Sequence, residues 1–139
     1  MLHVQLTAVG HENVRATHAS TLELTTDDWL TPAGDCILGV EATKAPAAFD
    51  ANFVAACQDT EATITLELAV DGSTTMVVGR GDPALTFTNE RSLVVRTSEY
   101  IDDRTVMVEA DTAAGGIDRS IVESLQAGAA LEATITVTS

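Results

Sequence analysis

The strictest alternation of apolar and polar residues lies at the end of the chain. Residues 131–138 place Leu, Ala, Ile and Val at every second position, with Glu or Thr between them, which predicts a strand with one face on a core. Residues 62–70 repeat the pattern and are followed by Asp71-Gly72, a favoured hairpin turn because glycine tolerates a positive φ. We therefore expect a return strand over residues 74–78. Weaker versions of the pattern predict strands over residues 2–9, 21–25, 36–42, 85–88, 93–97 and 105–110.

Apolar residues at helical spacing occur in two segments. The first begins at Pro46, which suits a first helical position, and its apolar face is Phe49, Phe53, Ala56 and Cys57. The second begins near residue 116, and its apolar face is Ile117, Ile121, Val122 and Leu125. The chain shows no low-complexity segment, linker or internal repeat, and residues 1–139 fit a single domain. We expect a mainly β fold: a two-sheet, jelly-roll-like β-sandwich with two short helices packed at an edge or end.

The absence of certain segments bears on the cellular setting. No apolar run is long enough to cross a membrane, and the first residues have neither a basic head nor an apolar stretch of the signal-peptide kind. Cys36 and Cys57 both lie in apolar surroundings and are interpreted as buried free thiols. We therefore expect a cytoplasmic protein with no membrane partner.

Charge is the most unusual property of the chain. Asp and Glu number 21 against seven Lys and Arg, for a net charge of -14, and Lys44 is the only lysine. The acids are scattered rather than clustered as in interaction tails, so adaptation to concentrated salt explains them better than a basic partner does. At molar salt the Debye length is about 3 Å. An anion site then needs short, direct contacts, and net acidity does not exclude a nucleotide or RNA.

Three polar stretches contain glycines and fall at predicted strand ends or turns, where functional groups collect on a β scaffold. They are residues 10–18, 31–36 and 79–83. Five motifs carry a resemblance to a known family: Gly10-His11, Ala16-Thr17-His18, Gly34-Asp35-Cys36-Ile37, Gly79-Arg80-Gly81-Asp82-Pro83 and Arg104-Thr105. They resemble an archaeal family catalogued only as domain of unknown function three-seven-one. The resemblance implies an archaeal source, here a halophilic one, and a mainly β fold, but no reaction. Where this family often carries a lysine, this chain has Ala110-Asp111-Thr112.

His11 and His18 are candidate catalytic residues, because histidine ligates metals and moves protons near neutral pH. An odd separation places them on opposite faces of a straight strand, so a turn between them is needed to bring them together. Three interpretations stay open: hydrogen bonds that hold a loop, general acid–base work with Asp35 or Asp82 as partner, or a metal site with Asp35 or Asp82 as third ligand. The sequence does not identify a cofactor.

Arg80 is the leading candidate for an anion contact. It lies between two glycines, where the backbone can approach a ligand closely, and a guanidinium can grip a phosphate or carboxylate with two hydrogen bonds. The alternative is an ion pair that fixes a loop, for instance with Asp82. Arg15 and Arg104 are further ligand-binding candidates. The chain has few aromatic residues for base stacking, which weakens RNA binding, although Trp29 and Tyr100 are flanked by acids and are expected to be exposed.

The candidate residues motivate one hypothesis about place and three about function. We expect a cluster of glycine-loop side chains at one end of the sandwich: His11, Arg15, His18, Asp35, Arg80 and Asp82. The first function is a binding module for a small phosphorylated or carboxylated ligand. The second is a small hydrolase-like enzyme that uses His11 or His18 with Asp35 or Asp82. The third is a structural or interaction subunit, and the oligomeric state stays undetermined.

Overall fold

Eight strands and two helices follow one another in the computed structural model, which describes residues 1–139. The strands are β1 (Leu2–Val9), β2 (Thr21–Thr25), β3 (Ile37–Gly39), β4 (Thr63–Val70), β5 (Ser73–Arg80), β6 (Ser92–Arg96), β7 (Thr105–Met107) and β8 (Ala130–Thr138). The helices are α1 (Ala51–Cys57) and α2 (Arg119–Gln126), each preceded by a 3-10 turn, Pro46–Ala48 and Ala114–Gly116. No helix is both long and apolar enough to cross a membrane.

The strands form two four-stranded sheets. The first has the order β1-β8-β4-β5 and is antiparallel throughout. The second has the order β3-β2-β6-β7, with an antiparallel centre and parallel pairs at both edges. Two isolated bridges, Val9 with Val40 and Arg80 with Val108, join the edges of the sheets. The prediction of a mainly β, two-sheet sandwich with two short helices is confirmed.

The core lies between the sheets and under the helices. Ile64, Leu66 and Leu68 of β4 are buried while the alternate residues are not, as the period-two pattern predicts. Each helix contributes its apolar face and starts at an acid whose carboxylate accepts a backbone N–H two residues later. These caps are Asp50, 2.7 Å from the Asn52 nitrogen, and Asp118, 2.8 Å from that of Ser120. Cys57 is buried and Cys36 half-buried, and both thiols are free.

The two halves of the chain have the same architecture. The succession β1, β2, β3, α1, β4 recurs as β5, β6, β7, α2, β8, and exchanging the halves leaves the order of both sheets unchanged. The two edge bridges also correspond. Along residues 40–58 and 108–126 the halves share identical residues at a constant spacing: Val40 and Val108, Glu41 and Glu109, Ala42 and Ala110, Ala45 and Ala113, Asp50 and Asp118, Val54 and Val122, Gln58 and Gln126.

The expectation of no internal repeat is therefore wrong. The two halves share backbone contacts more than they share residue types. Several kinds of side chain can accept a hydrogen bond in a loop or fill a buried position, so the sequence can change while the contacts remain. Outside residues 40–58 and 108–126, little identity remains to reveal the repeat.

The strand predicted over residues 85–88 is also absent. Leu85 and Phe87 are buried there, but they belong to a loop, and Phe87 has a left-handed φ of 54° that a strand does not permit. Its ring packs against Phe49 and Phe53 with centroids 5.9 and 6.3 Å away. The apolar alternation of this segment reflects a loop that covers α1. Its counterpart in the first half is the loop at Ala16, where φ is 50°.

Candidate functional site

Both candidate histidines serve as hydrogen-bond acceptors inside their loop. The Nδ1 atom of His11 accepts the N–H of Asn13 at 3.0 Å. The Nδ1 atom of His18 accepts the N–H groups of Ser20 and Thr21 at 3.2 and 3.1 Å. Since Nδ1 accepts in both rings, the neutral form carries its hydrogen on Nε2.

The second half of the chain fills these two positions with shorter acceptors. Asp82 corresponds to His11, and its Oδ1 atom accepts the N–H of Ala84 at 2.9 Å. Asn89 corresponds to His18, and its Oδ1 atom accepts the N–H groups of Arg91 and Ser92 at 2.8 Å. A side-chain oxygen that bonds to its own backbone two residues on is a common way to fix a turn. The histidines therefore perform in the first half the loop-fixing task that Asp and Asn perform in the second.

The six side chains expected to cluster lie in separate places. Strands β1 and β5 run in opposite directions in the first sheet, so His11, just after β1, and Asp82, just after β5, lie at opposite ends of it. Eight residues of strand span about 27 Å. His18 does meet Asp35, but through backbone, its N–H donating to the Asp35 carbonyl at 3.2 Å. Arg15 is exposed, with no hydrogen bond from its side chain.

Arg80 is occupied by three carboxylates. Its Nε atom pairs with Glu109, its Nη1 with Asp82 at 3.2 Å, and its Nη2 with Glu99 at 3.2 Å. Nη1 also donates to the Gly81 carbonyl at 2.8 Å. The hydrogen bond with Glu109 is the main reason that the pKa of Arg80 is raised. All three nitrogens of this guanidinium already have partners within the protein, and the arrangement ties the β6–β7 loop to β5.

The metal interpretation of the histidines finds no ligand cluster in the structure. No group of three His, Cys, Asp or Glu side chains is close enough to hold a metal ion. The two thiols are also poorly suited to chemistry, because burial raises the pKa of Cys36 to about 11 and that of Cys57 to about 12.

A cleft on the outer face of the second sheet brings together a different set of side chains. It measures about 320 Å³ and lies between the loop that follows β2 and the segments that flank β6. Of the five surface clefts, it alone is lined by arginine. Its lining residues are Glu23, Asp27, Trp29, Ile37, Asn89, Arg91, Ser92 and Arg104.

Arg91 and Arg104 line this cleft with the same nitrogen atoms paired and the same one unpaired. The Nε and Nη2 atoms of Arg91 both bond to the carboxylate of Asp27 at 2.8–3.0 Å. The Nε and Nη2 atoms of Arg104 bond to Asp102 at 3.1 and 2.7 Å. The Nη1 atom of Arg91 has no partner, and that of Arg104 has only Glu23 at 3.8 Å, beyond hydrogen-bond distance. Each guanidinium thus keeps one nitrogen free to donate.

The two carboxylates that pair with Arg91 and Arg104 are held ionised by these arginines. The hydrogen bond from Arg91 lowers the pKa of Asp27. Burial acts to raise the pKa of Asp102, but hydrogen bonds from Arg104 and the charges of Arg96 and Arg104 outweigh it and hold that pKa at about 2. Arg96 is nearly buried and bonds to Asp102 at 2.9 Å. The two arginines that line the cleft are therefore held by a network of paired charges.

Trp29 forms one wall of the cleft and is 56% exposed, while Tyr100 is 62% exposed. The expectation that both aromatic residues are exposed is confirmed. Sequence reasoning selected Arg104 but missed Arg91 as a site residue, because Arg91 lies in Asn89-Glu90-Arg91 with no glycine beside it. The scarcity of basic residues was the available signal: few arginines remain in this chain once those that fix loops are set aside.

Comparison with known proteins identifies the family. The family model described as Domain of unknown function (DUF371) matches residues 6–138. An uncharacterised protein of the archaeon Methanocaldococcus jannaschii is 39% identical over 121 residues, which cover 87% of this chain and 89% of that protein. Neither comparison carries an activity. The chain belongs to the DUF371 family of unknown function.

Proposed function

We propose that this protein is a binding module for a small phosphorylated or carboxylated ligand, which it holds in the cleft beside Trp29. The observation that carries the proposal is the pair of free Nη1 groups on Arg91 and Arg104 in one cleft. Both guanidinium groups are fixed by carboxylates on their other side, so little side-chain entropy is lost when an anion accepts from them. In this proposal Arg80 forms the ion pairs that fix a loop, which was the alternative considered for it. Arg91 and Arg104 make the contact with the anion.

Local charge supports an anionic ligand here. The lining of the cleft balances two arginines against Glu23 and Asp27, whereas the whole chain has a net charge of -14. Asp27 already accepts from Arg91, and Glu23 lies 3.8 Å from Arg104, beyond hydrogen-bond distance, so the two Nη1 groups can donate to an acceptor from outside. Contacts of this kind work at hydrogen-bond distance and survive salt that screens longer-range attraction.

We further propose that the protein works in a cytoplasm with molar salt. Its accessible surface of 6342 Å² carries the net charge of -14, and self-repulsion at that charge destabilises the compact state in dilute buffer. The midpoint of thermal unfolding should rise steadily from 0.1 M KCl to molar KCl. A midpoint that is constant or falls over that range would contradict the halophilic setting and leave the binding proposal standing.

The binding proposal has a direct optical test, since Trp29 is the only tryptophan in the chain and lines the cleft. Its fluorescence is followed in molar KCl while inorganic phosphate, phosphate esters or carboxylates are added, with thermal unfolding as a second readout. We expect at least one of these anions to give a saturable change in fluorescence together with a higher unfolding midpoint.

Variants locate the site. Arg91→Ala and Arg104→Ala should each weaken binding, because each removes one of the two free donors. Arg15→Ala is the matched control, since Arg15 is an exposed arginine outside the cleft whose side chain makes no hydrogen bond. If no anion changes either readout, or if Arg15→Ala weakens binding as much as the cleft variants, the proposal fails.

A further inference from the structure

We infer that the ligand carries its anionic group on a planar aromatic or heteroaromatic ring that stacks on Trp29, as a nucleoside monophosphate does. This inference rests on the proposed function and narrows it to one ligand class. It comes from comparing the two halves of the chain at the outer face of the second sheet.

Trp29 and Tyr100 occupy equivalent positions in the two halves. Strands β2 and β6 end in the same way: the Thr25 carbonyl accepts the N–H of Ala42 at 3.0 Å, and the Arg96 carbonyl accepts that of Ala110 at 3.0 Å. Trp29 lies four residues after Thr25, and Tyr100 four residues after Arg96. The two aromatic residues therefore lie at the same distance along the chain from equivalent backbone hydrogen bonds.

In the second half of the chain, the protein itself supplies the planar group that stacks on Tyr100. The guanidinium carbon of Arg96 lies 4.7 Å from the centroid of the Tyr100 ring, and the same guanidinium bonds to Asp102 and Thr105 at 2.9 Å. The space beside this aromatic ring is thus filled by a flat group that belongs to the protein.

The Trp29 half lacks that partner. The position of Arg96 is taken by Thr25, whose short side chain is buried and hydrogen-bonded to Ser92 and to the N–H of Asp27. No aromatic or guanidinium group of the protein stacks on the indole. The cleft of about 320 Å³ is lined by Trp29 and Ile37, which correspond to Tyr100 and to the Thr105 that Arg96 contacts in the other half. A planar group from a ligand would stack on Trp29 as the guanidinium of Arg96 stacks on Tyr100.

The surroundings determine which planar group fits. Arg91 and Arg104 line the same cleft and disfavour a cationic ring, so a neutral ring with an anionic substituent is the complementary ligand. The cleft is at the small end of ligand pockets, which suits one ring system with one phosphate. Stacking of a base on an aromatic side chain improves affinity by about 10-fold or more.

The test compares probes that differ by one part. Adenosine monophosphate, ribose 5-phosphate, inorganic phosphate and adenosine are titrated calorimetrically into the protein in molar KCl. We expect adenosine monophosphate to bind about 10-fold or more tightly than ribose 5-phosphate, and adenosine to bind more weakly than its monophosphate. Trp29→Leu should abolish the preference for the base, and Trp29→Phe should retain part of it. Tyr100→Leu is the matched control and should leave the preference unchanged.

Each outcome separates this inference from the proposed function. If ribose 5-phosphate binds as tightly as adenosine monophosphate, the ring inference is overturned and the anion site stands. If adenosine binds as tightly as its monophosphate, the anion contact is absent, and the proposed function fails together with the inference. If no probe binds, the inference is overturned, and the anion panel with carboxylates decides the proposed function. If Trp29→Leu keeps the base preference in a variant that unfolds at the same temperature as the wild type, the base does not stack on Trp29.

Discussion

Replacing Asp102 by Asn tests the charge network that holds Arg104, one of the two arginines of the cleft. The Oδ2 atom of Asp102 accepts from Arg96 at 2.9 Å and from Arg104 at 2.7 and 3.1 Å. The side chain of Arg96 is only 9% exposed. Asp102→Asn keeps the shape of the side chain but removes the negative charge that faces both guanidinium groups.

The structure sets the size of the effect. Holding the pKa of Asp102 at about 2 rather than 3.8 corresponds to about 2 kcal/mol of folded-state stability at neutral pH. The variant should lose somewhat more than this, about 3 kcal/mol, because it leaves the charge of Arg96 nearly buried and unpaired. Arg104 suffers less, since it retains Glu23 nearby and is partly exposed.

The dependence on pH follows from the sign of the shift. The folded-state pKa of Asp102 lies below the unfolded-state value, so its contribution is complete above about pH 5 and is lost as the pH falls through 4 towards 2. The difference in unfolding free energy between wild type and Asp102→Asn should therefore shrink by about 1 kcal/mol between pH 7 and pH 3. Other acids titrate over this range in both proteins, so their contributions cancel when the two unfolding free energies are subtracted.

Urea unfolding followed by circular dichroism at pH 7 and pH 3 measures this difference. Asp103→Asn is the matched control, because Asp103 is the exposed neighbour whose carboxylate meets only the side-chain amide of Asn89, at 3.3 and 3.4 Å. It should cost less than about 0.5 kcal/mol. A loss below 1 kcal/mol for Asp102→Asn, or a difference that is the same at both pH values, would refute the reasoning.

Three further predictions concern the loops and thiols. His18→Ala should destabilise the protein by about 1–3 kcal/mol in urea unfolding, because two backbone N–H groups lose their acceptor, while His18→Asn should restore most of the loss; an unchanged stability of His18→Ala would show that the Nδ1 contacts contribute nothing. Gly10→Ala and Gly81→Ala should each lower the unfolding midpoint steeply or prevent folding, because a Cβ at either position would collide with a backbone carbonyl at the end of a helix; a midpoint within 2 °C of the wild type would contradict this. Cys36 and Cys57 should resist alkylation at pH 8 until the protein unfolds, since burial raises both pKa values; rapid labelling of the native protein, read by mass spectrometry, would disprove it.

Periodicity predicted the fold well where one face of an element is buried and the other is not. Strands β4 and β8 alternate along their whole length, and their predicted bounds agree with the observed Thr63–Val70 and Ala130–Thr138 to within a residue. The same rule failed at residues 85–88, because a loop that buries Leu85 and Phe87 on a helix gives the same pattern as a strand. Hydrophobic spacing records burial, and burial is not confined to regular structure.

The site was harder to predict because glycine-rich loops mark places where the backbone is constrained, which need not be places where ligands bind. Arg80 has the most suggestive neighbours in the sequence, yet its guanidinium is occupied by the nearby Asp82 and by Glu99 and Glu109, which are distant in the chain. Arg91 has unremarkable neighbours and keeps a free nitrogen in a cleft. Which arginine is already paired depends on long-range contacts that local sequence does not record.

The interleaving of the two halves has a consequence for how the chain folds. In the first sheet β1 pairs only with β8, with Leu2 opposite Val137, and β8 separates it from β4. Within its own half β1 gains the bridge from Val9 to Val40, but its partner in the first sheet forms only after β8 has been made. Contacts between such distant parts of a chain make folding slow, and until then β1 exposes an unpaired, half-apolar edge to other chains. During synthesis, the stage before β8 appears is therefore the one at which this protein is most prone to aggregate.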